Sequence, residues 1–358
     1  MTYKPAVTLF GNNTQRNDVV HDATLVLALG FGTAVHGVTA DVLVVHGAVL
    51  SSLSARSDAE FGVELSLGAS AAVCVDFVGN ELPSTISPLP VSVEPFCVTY
   101  EPTVQLSWVS GFAPVGGATS LTTVRVAATF LTGVAGLALS DFEVDGAVAT
   151  GLEEVSSSLY IVNLTLGASS EAACALPAHA GNVQPPNAAS AVLATLYKPQ
   201  PTLTWSDGLL DASTTSLSAV TITATFPTAV MGVAPGDFTI HGGLQAGGVA
   251  SCGPLCVALP VILTANAVSA SMAVSTGSIS PPNAESNTLS LTYLPKFAWT
   301  LGEGLSVGAV TSQPTVKAIA SLPPILSVSG ISPTVFSLTG CTLASFEAAA
   351  DSNSYGCA

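Results

Sequence analysis

A chain of 358 residues that is 49% apolar has ample material for buried cores, yet only 8% of it is Asp, Glu, Lys or Arg, against roughly 25% in an ordinary soluble domain. Disorder goes with low hydrophobicity and high charge, the reverse of this composition, so the chain is expected to fold. A net charge of −16 with seven Lys plus Arg excludes the cationic stripe that nucleic acid or anionic lipid headgroups require.

The opening MTYKPAVTLF has no apolar run followed by a cleavage site. Its Tyr-x-Pro returns three times, as Tyr3/Pro5, Tyr100/Pro102, Tyr197/Pro199 and Tyr293/Pro295, with the tyrosines 97, 97 and 96 residues apart. This period divides the chain into the end of a preceding repeat (1–3), repeats at 4–100, 101–197 and 198–293, and an incomplete fourth at 294–358. Met1 is therefore expected to lie inside a longer array. Each tyrosine is read as the end of one domain's last strand. Each proline then sets the backbone entering the next domain and holds the residue before it extended, giving a short, stiff interdomain joint.

The first apolar stretch, 23–35, is shorter than the ~20 residues of a helical membrane span and alternates like a strand. It contains TLVLALGF (24–31), which aligns with TVRVAATF (123–130), VTITATF (220–226) and TVKAIASL (315–322). Val124, Val126, Ala128 and Phe130 share one face, as do Val220, Ile222, Ala224 and Phe226; this is the period of a half-buried strand. Val26, Ala28, Gly30 and Ile319 then face outward, a neutral surface that suggests cover by neighbouring subunits or glycan. Next come HGAVLSSL, DGAVATGL, HGGLQAGG and TGCTLASF, whose Gly47, Gly146, Gly242 and Gly340 are 99, 96 and 98 apart. Each is predicted to be a tight strand–turn–strand with glycine at positive φ.

Repeat two reads as seven strands: PTVQLSW, TVRVAATF, DFEVD, AVATGL, LYIVNLTLG, AACALP and AVLATLY. No stretch has helical period. Seven short strands in about 100 residues predict an all-β fold of tandem immunoglobulin-like β-sandwich domains forming a rod. Trp108, Trp205 and Trp299 sit in the first strand of their repeats, with Phe10 in that place in the first copy. The fourth repeat stops at YGCA, with Tyr355 aligned to Tyr160 in the fifth strand. The expectation is that the chain continues past Ala358 or that another molecule supplies the missing strands.

Taken together, FLTGVAGLALSDFEVDG (130–146), GNVQPPNAAS (181–190) and DFVGNELPSTIS (76–87) resemble the bacterial-type Ig-like repeats of giant surface proteins. Such repeats occur in bacterial adhesins and in algal surface glycoproteins, including those of flagellar hairs (mastigonemes). This chain is richer in Cys and in Ala, Gly and Ser, and its SPP and LPP motifs resemble hydroxyproline glycosylation sites of algal walls. The resemblance covers essentially the whole chain through strand and turn residues, which speak for the fold and not for function. The neutral outer faces point to a structural segment of an extracellular surface filament or appendage. The alternative is a cell-surface adhesin that grips a glycan or receptor with its sandwich-end loops.

Cys74, Cys97, Cys174, Cys252, Cys256, Cys341 and Cys357 leave connectivity open. Locality favours Cys74–Cys97, Cys252–Cys256 and Cys341–Cys357, with Cys174 left unpaired or bonded to a neighbouring chain; buried free thiols in a reducing compartment are the other reading. Asn12 and Asn163 head N-glycosylation sequons, and glycans on the Pro-rich loops are a further expectation. No enzyme, cofactor or metal is expected. Gly-x-Ser-x-Gly at 304–308 has no strand–turn–helix elbow. His46 and His241 are replaced by Asp145 and Thr339 in the other copies, as suits turn formers. The acidic residues Glu153, Glu154, Asp207, Asp211, Asp141 and Glu143 lack the spacing of a calcium loop. The expected partners are further copies or other filament subunits, outside the cell, with no membrane span in this segment.

Overall fold

The computed structural model describes residues 4–302 apart from 12, 69, 79–85, 88–92, 113, 115, 168, 207 and 275–277, and beyond them 306, 315–321, 332, 334, 337, 339, 343–348 and 354–357. The chain forms two compact units, Met1–Tyr197 and Lys198–Ala358. Strands dominate; the described helices are single 3-10 turns at Ala40–Val42, Leu139–Asp141 and Pro235–Asp237.

The first sandwich contains β1 (Val7–Gly11), β2 (Val19–Val20), β3 (Thr24–Phe31), β4 (Leu43–His46), β5 (Ala48–Ser57), β6 (Glu60–Leu67), β7 (Ala72–Phe77) and β8 (Phe96–Tyr100). One sheet runs β1-β3-β6-β5 and the other β2-β8-β7-β4. The second contains β9 (Val104–Trp108), β10 (Ala118–Thr119), β11 (Thr123–Phe130), β12 (Glu143–Asp145), β13 (Ala147–Ser156), β14 (Leu159–Leu166), β15 (Glu171–Ala175) and β16 (Leu193–Tyr197). Its sheets repeat the order, as β9-β11-β14-β13 and β10-β16-β15-β12. In the second unit are β17 (Thr202–Trp205), β18 (Ser213–Thr215), β19 (Ala219–Thr225), β20 (Phe238–His241), β21 (Gly243–Gln245), β22 (Ala250–Gly253), β23 (Cys256–Leu263), β24 (Ala267–Met272) and β25 (Leu289–Tyr293). They form sheets β17-β19-β23-β21, with β22 also on β23, and β18-β25-β24-β20.

Lettered by position, each sandwich sets strands A, B, E and D against C, F and G, which is the immunoglobulin arrangement. The seven strands read from repeat two are all present. The additional short strands β2, β10 and β18 pair parallel to the last strand of each sandwich, and two or three residues are too short to leave a periodic signal. Inward residues of both sheets make one core per sandwich, within residues 7–100, 104–197 and 203–293. Each fully buried Leu, Val, Ile or Phe there contributes about 1.5–3 kcal/mol. Farther on, β26 (Ala298–Leu301), β27 (Ala318–Ser321), β28 (Phe346–Ala348) and β29 (Ser354–Cys357) form a sheet β26-β27-β29-β28. Its register sets Tyr355 opposite Ala320 as Tyr160 stands opposite Ala128.

Three expectations are corrected. The strand–glycine–strand segments are corners between sheets, not hairpins: β4 pairs with β7 and β5 with β6, and β12 and β13 divide likewise between β15 and β14. The corner glycines have φ of 75°, 66° and 72°, and a Cβ on them would stand 1.8–2.1 Å from the carbonyl oxygen of Ala72, Glu171 or Ala267. Only glycine passes that close to a backbone. Ala28 is fully buried although it is on the outward side of β3, because it lies between Phe10 of β1 and Gly62 of β6. Phe10 is not the counterpart of the tryptophans: it stands opposite Ala28, whereas Trp108 faces Val126 and Trp205 faces Ile222, a register place held in the first sandwich by Gly11 opposite Leu27, and Trp299 faces Ala320, the place of Leu106 opposite Ala128.

The D edge strands differ. β5 and β13 are ten residues long with register shifts at matching places, which blunt an otherwise open edge. In the third sandwich the edge is split into β21 and β22, and the gap falls beside Pro260 of β23, which has no N–H to offer the ladder.

Candidate functional site: joints, corners and loops

Motifs distant in sequence meet in each sandwich. The Asp141 carboxylate accepts a hydrogen bond from the Ala138 amide at 2.8 Å, closing a 3-10 turn, and Asp237 does the same for Ala234 at 2.7 Å. A Cβ on Gly181 would stand 2.1 Å from the Asp141 carboxylate, so the late Gly-Asn and the earlier Asp-Phe are two halves of one contact. Asn187, fully buried, donates to the carbonyls of Pro177 and Ala188 at 2.7 and 2.8 Å and accepts from the Ala180 amide at 3.1 Å. Asn283 repeats the two donations, to Ala273 and Ala284. The serine three residues on accepts from the Leu176 or Met272 amide at 2.8 Å. The Asn-x-x-Ser motif is therefore loop architecture. Its neighbours Pro185 and Pro281 are buried, and Pro186 and Pro282 are half-buried.

The Tyr-x-Pro joints have a matching construction. Tyr100, Tyr197 and Tyr293 each end a strand and are fully buried. Their amides donate to the carbonyls of Ala71, Ser170 and Asn266. Pro102 and Pro199 are buried, and each offers its carbonyl to the residue after the buried asparagine, Ala188 at 3.1 Å and Ala284 at 3.0 Å. Pro5 is buried and Pro295 half-buried; Tyr3 is outside the described residues.

Within the first unit the joint has a latch the sequence did not reveal. The Tyr100 hydroxyl, from the first sandwich, reaches the Thr132 hydroxyl of the second at 2.9 Å. The Glu101 amide donates to the Val20 carbonyl at 2.9 Å, and His21 Nδ1 lies 2.9 Å from the Glu101 carbonyl oxygen. The buried Glu101 carboxylate turns the other way, to His179 Nε2 at 2.5 Å. Glu101 is thus tied to the first sandwich by its backbone and to the second by its side chain. The other joints have Lys4, Lys198 and Leu294 there, so no recurrence of the glutamate marked it. Burial raises the Tyr100 pKa; the Thr132 hydrogen bond opposes this and the nearby Asp22 adds to it.

Cys74 is bonded to Cys97, directly opposite on β7 and β8, and Cys252 is bonded to Cys256 across the β22–β23 turn. Cys174 is free and buried in the second core between Val144 and Leu193, the unpaired one of the two expectations for it. Burial pushes its thiol up to about 11. Its register place matches Val75, while Ala173 and Ala194 face each other where the first sandwich has Cys74 and Cys97. Cys341 is outside the described residues, and Cys357 lies in β29.

Asn163 points outward from the centre of β14, half-buried, with its side-chain amide oxygen Oδ1 accepting from Arg125 Nε at 3.1 Å; Arg125 also pairs with Glu153 at 2.5 Å. Asn12 is outside the described residues, as are Asp207 and the 304–308 segment except Ser306. The Asp211 carboxylate accepts from the Ser290 amide at 2.6 Å and hydroxyl at 3.0 Å, contacts that lower its pKa. Among the described residues no three His, Cys, Asp or Glu side chains gather as a metal site, and no helix is long and apolar enough to cross a membrane.

At the corners, His46, Asp145 and His241 are exposed, and three residues beyond each an aliphatic side chain stands in solvent: Val49 at 68%, Val148 at 64% and Leu244 at 56% exposure. His46 Nε2 lies 3.7 Å from Asp76.

No protein-family model matches the sequence, and neither does any curated protein. Among solved structures the chain is similar to invasin, a bacterial integrin-binding protein, at 9% identity and a TM-score of 0.32, over 89% of this chain and 76% of that one. It is also similar to the N-terminal eight Ig domains of Down syndrome cell adhesion molecule, at 8% identity and a TM-score of 0.25, over 88% of this chain and 47% of that one.

Proposed function

We propose that this chain is a structural segment of an extracellular surface filament or appendage, mastigoneme-like in kind, built from stiffly joined Ig-like domains at 4–100, 101–197 and 198–293 and an incomplete fourth at 294–358. The observation that carries the reading is the recurrence of Val49, Val148 and Leu244, exposed at one corner position in three sandwiches, on a chain with 8% charged residues. Scattered exposed apolar residues are ordinary. Repetition of the same one at the same place on a charge-poor surface is what a repeated lateral contact uses.

Two supports are independent of this. The disulfides Cys74–Cys97 and Cys252–Cys256 suit an oxidising, extracellular compartment. The Glu101 latch and buried Tyr100 favour a stiff joint over a tether. Glycans belong to the proposal at Asn163 and at Pro186 and Pro282, the less buried prolines of their loops.

Negative-stain electron microscopy of the purified chain over a rising concentration series tests the reading. Regular fibres with a repeat of a few domain lengths are expected. A stable, unglycosylated monomer at high concentration would sink it.

A further inference from the structure

The two disulfides among the described residues sit in different surroundings. Cys74 and Cys97 face each other on β7 and β8, the inner two strands of the sheet β2-β8-β7-β4. Their neighbours Val73, Val75, Phe96 and Val98 are buried in the first core, so packing holds both sulfurs in place whether or not they are bonded. Cys252 and Cys256 are instead four residues apart in sequence, across the turn from β22 to β23 at the edge of the third sandwich. Cys252 is exposed, Cys256 is half-buried, and no residue of β22 is buried.

β22 is also lightly tethered. It has four residues where β5 and β13 have ten, and its register with β23 runs through Ala250, Ser251 and Gly253. The break beside Pro260 separates it from β21. The turn after it has its own anchor, because the Leu255 carbonyl accepts from the Phe226 amide at 2.8 Å. The carbonyls of Ala59 and Ser158 accept from Phe31 and Phe130 in the same way, in turns that have no disulfide. On the other side the Ala246 amide donates to the Pro260 carbonyl at 2.9 Å. Opening the Cys252–Cys256 bond therefore loosens the segment between Ala246 and Leu255 and leaves the core strands where they are.

A disulfide yields to a thiolate that can reach one of its sulfurs, and exposed bonds are the labile ones. The reverse step is fast where the displaced thiol stays fixed beside its partner, as on β7 and β8, and slower where the strand can move off. We propose that Cys252–Cys256 is a thiol-exchange site for a small external thiol. The thiolate attacks the exposed Cys252 Sγ and forms a mixed disulfide there. The Cys252–Cys256 bond breaks, its electron pair leaves on Cys256, and the Cys256 thiolate takes a proton from water. One disulfide replaces another, with no net oxidation. The product carries the thiol covalently on β22 and frees that strand from the edge of β23. This goes beyond the filament reading and does not depend on it.

The folded chain incubated with reduced glutathione over a rising concentration series tests it, with samples acid-quenched at early times, alkylated with iodoacetamide and peptide-mapped. Glutathione is expected on Cys252 and the alkyl label on Cys256. The concentration needed should be at least about tenfold below that which opens Cys74–Cys97. Circular dichroism should be unchanged, while brief proteolysis should newly cut within 247–253. Opening of both disulfides at one concentration, or of Cys74–Cys97 first, would overturn the proposal. So would glutathione on Cys256 in place of Cys252, or loss of the β signal as the bond opens, which marks a structural staple.

Discussion

Asn187 and Asn283 are the residues on which the late loops hang. Both are fully buried, and a buried amide with its hydrogen bonds made is stabilising only because the alternative leaves several backbone groups unpaired. Asn187→Ala strands the carbonyls of Pro177 and Ala188 and the amide of Ala180. It is expected to cost about 2–4 kcal/mol, seen by calorimetry as a lowered transition. Cys174, held protonated near pH 8 by burial, should escape iodoacetamide in the native chain and be labelled in denaturant, with peptide mapping as the readout. The pH dependence follows from the same burial. Tyr100, Tyr160, Tyr293 and Cys174 all have raised pKa values, with burial the largest cause in each case. The unfolded chain ionises first, so their contribution is intact below about pH 9. It is lost as pH rises through the folded values, that of Cys174 being about 11. Circular dichroism through an alkaline titration should show stability falling in that window.

At the scale of elements, the corner and the F–G pair are the informative units. The corner glycine is a packing requirement as well as a conformational one, and the two can be separated. Gly146→Ala meets both a φ of 66° and a carbonyl 1.8 Å from the new Cβ, whereas Gly111→Ala meets a φ of 84° and open space. The second should cost about 1–2 kcal/mol and the first measurably more, by urea unfolding of the two variants. The F–G pair is a transferable site. Ala173→Cys with Ala194→Cys places two thiols at the register of Cys74 and Cys97. Oxidation should close a bond, read as a mass lower by about two hydrogens, and stabilise by about 2–4 kcal/mol.

At the scale of the molecule, the proposed stiffness depends on linkers of three residues or so. Between β8 and β9 only residues 101–103 intervene, and Glu101 and Pro102 are buried. A Glu101→Gly, Pro102→Gly chain loses the His179 contact and the fixed φ, so brief proteolysis should cut it at 101–103 while the native joint stays whole. Small-angle scattering of the native chain should likewise exclude freely jointed domains.

The sequence by itself determined the all-β class, the period near 97 residues, the inner faces of β11 and β19, and the glycine at each corner. All of these are written by local rules, in the alternation of side chains along a strand and the restriction of positive φ. It did not determine which sheet a strand joins. His46-Gly47-Ala48 read as a hairpin because turn and strand signals are the same whether the chain folds back or crosses over. Only the pairing of β4 with β7 and of β5 with β6 decides between them. Register was equally hidden: Phe10 and Trp108 look alike in a strand, yet a shift of one residue reverses the face, sending Phe10 to solvent and leaving Gly11 in the tryptophan's place. Burial of Cys174 and the Glu101 latch join residues as far apart as Val20 and Glu101. Such proximity is a property of packing, and no local pattern encodes it.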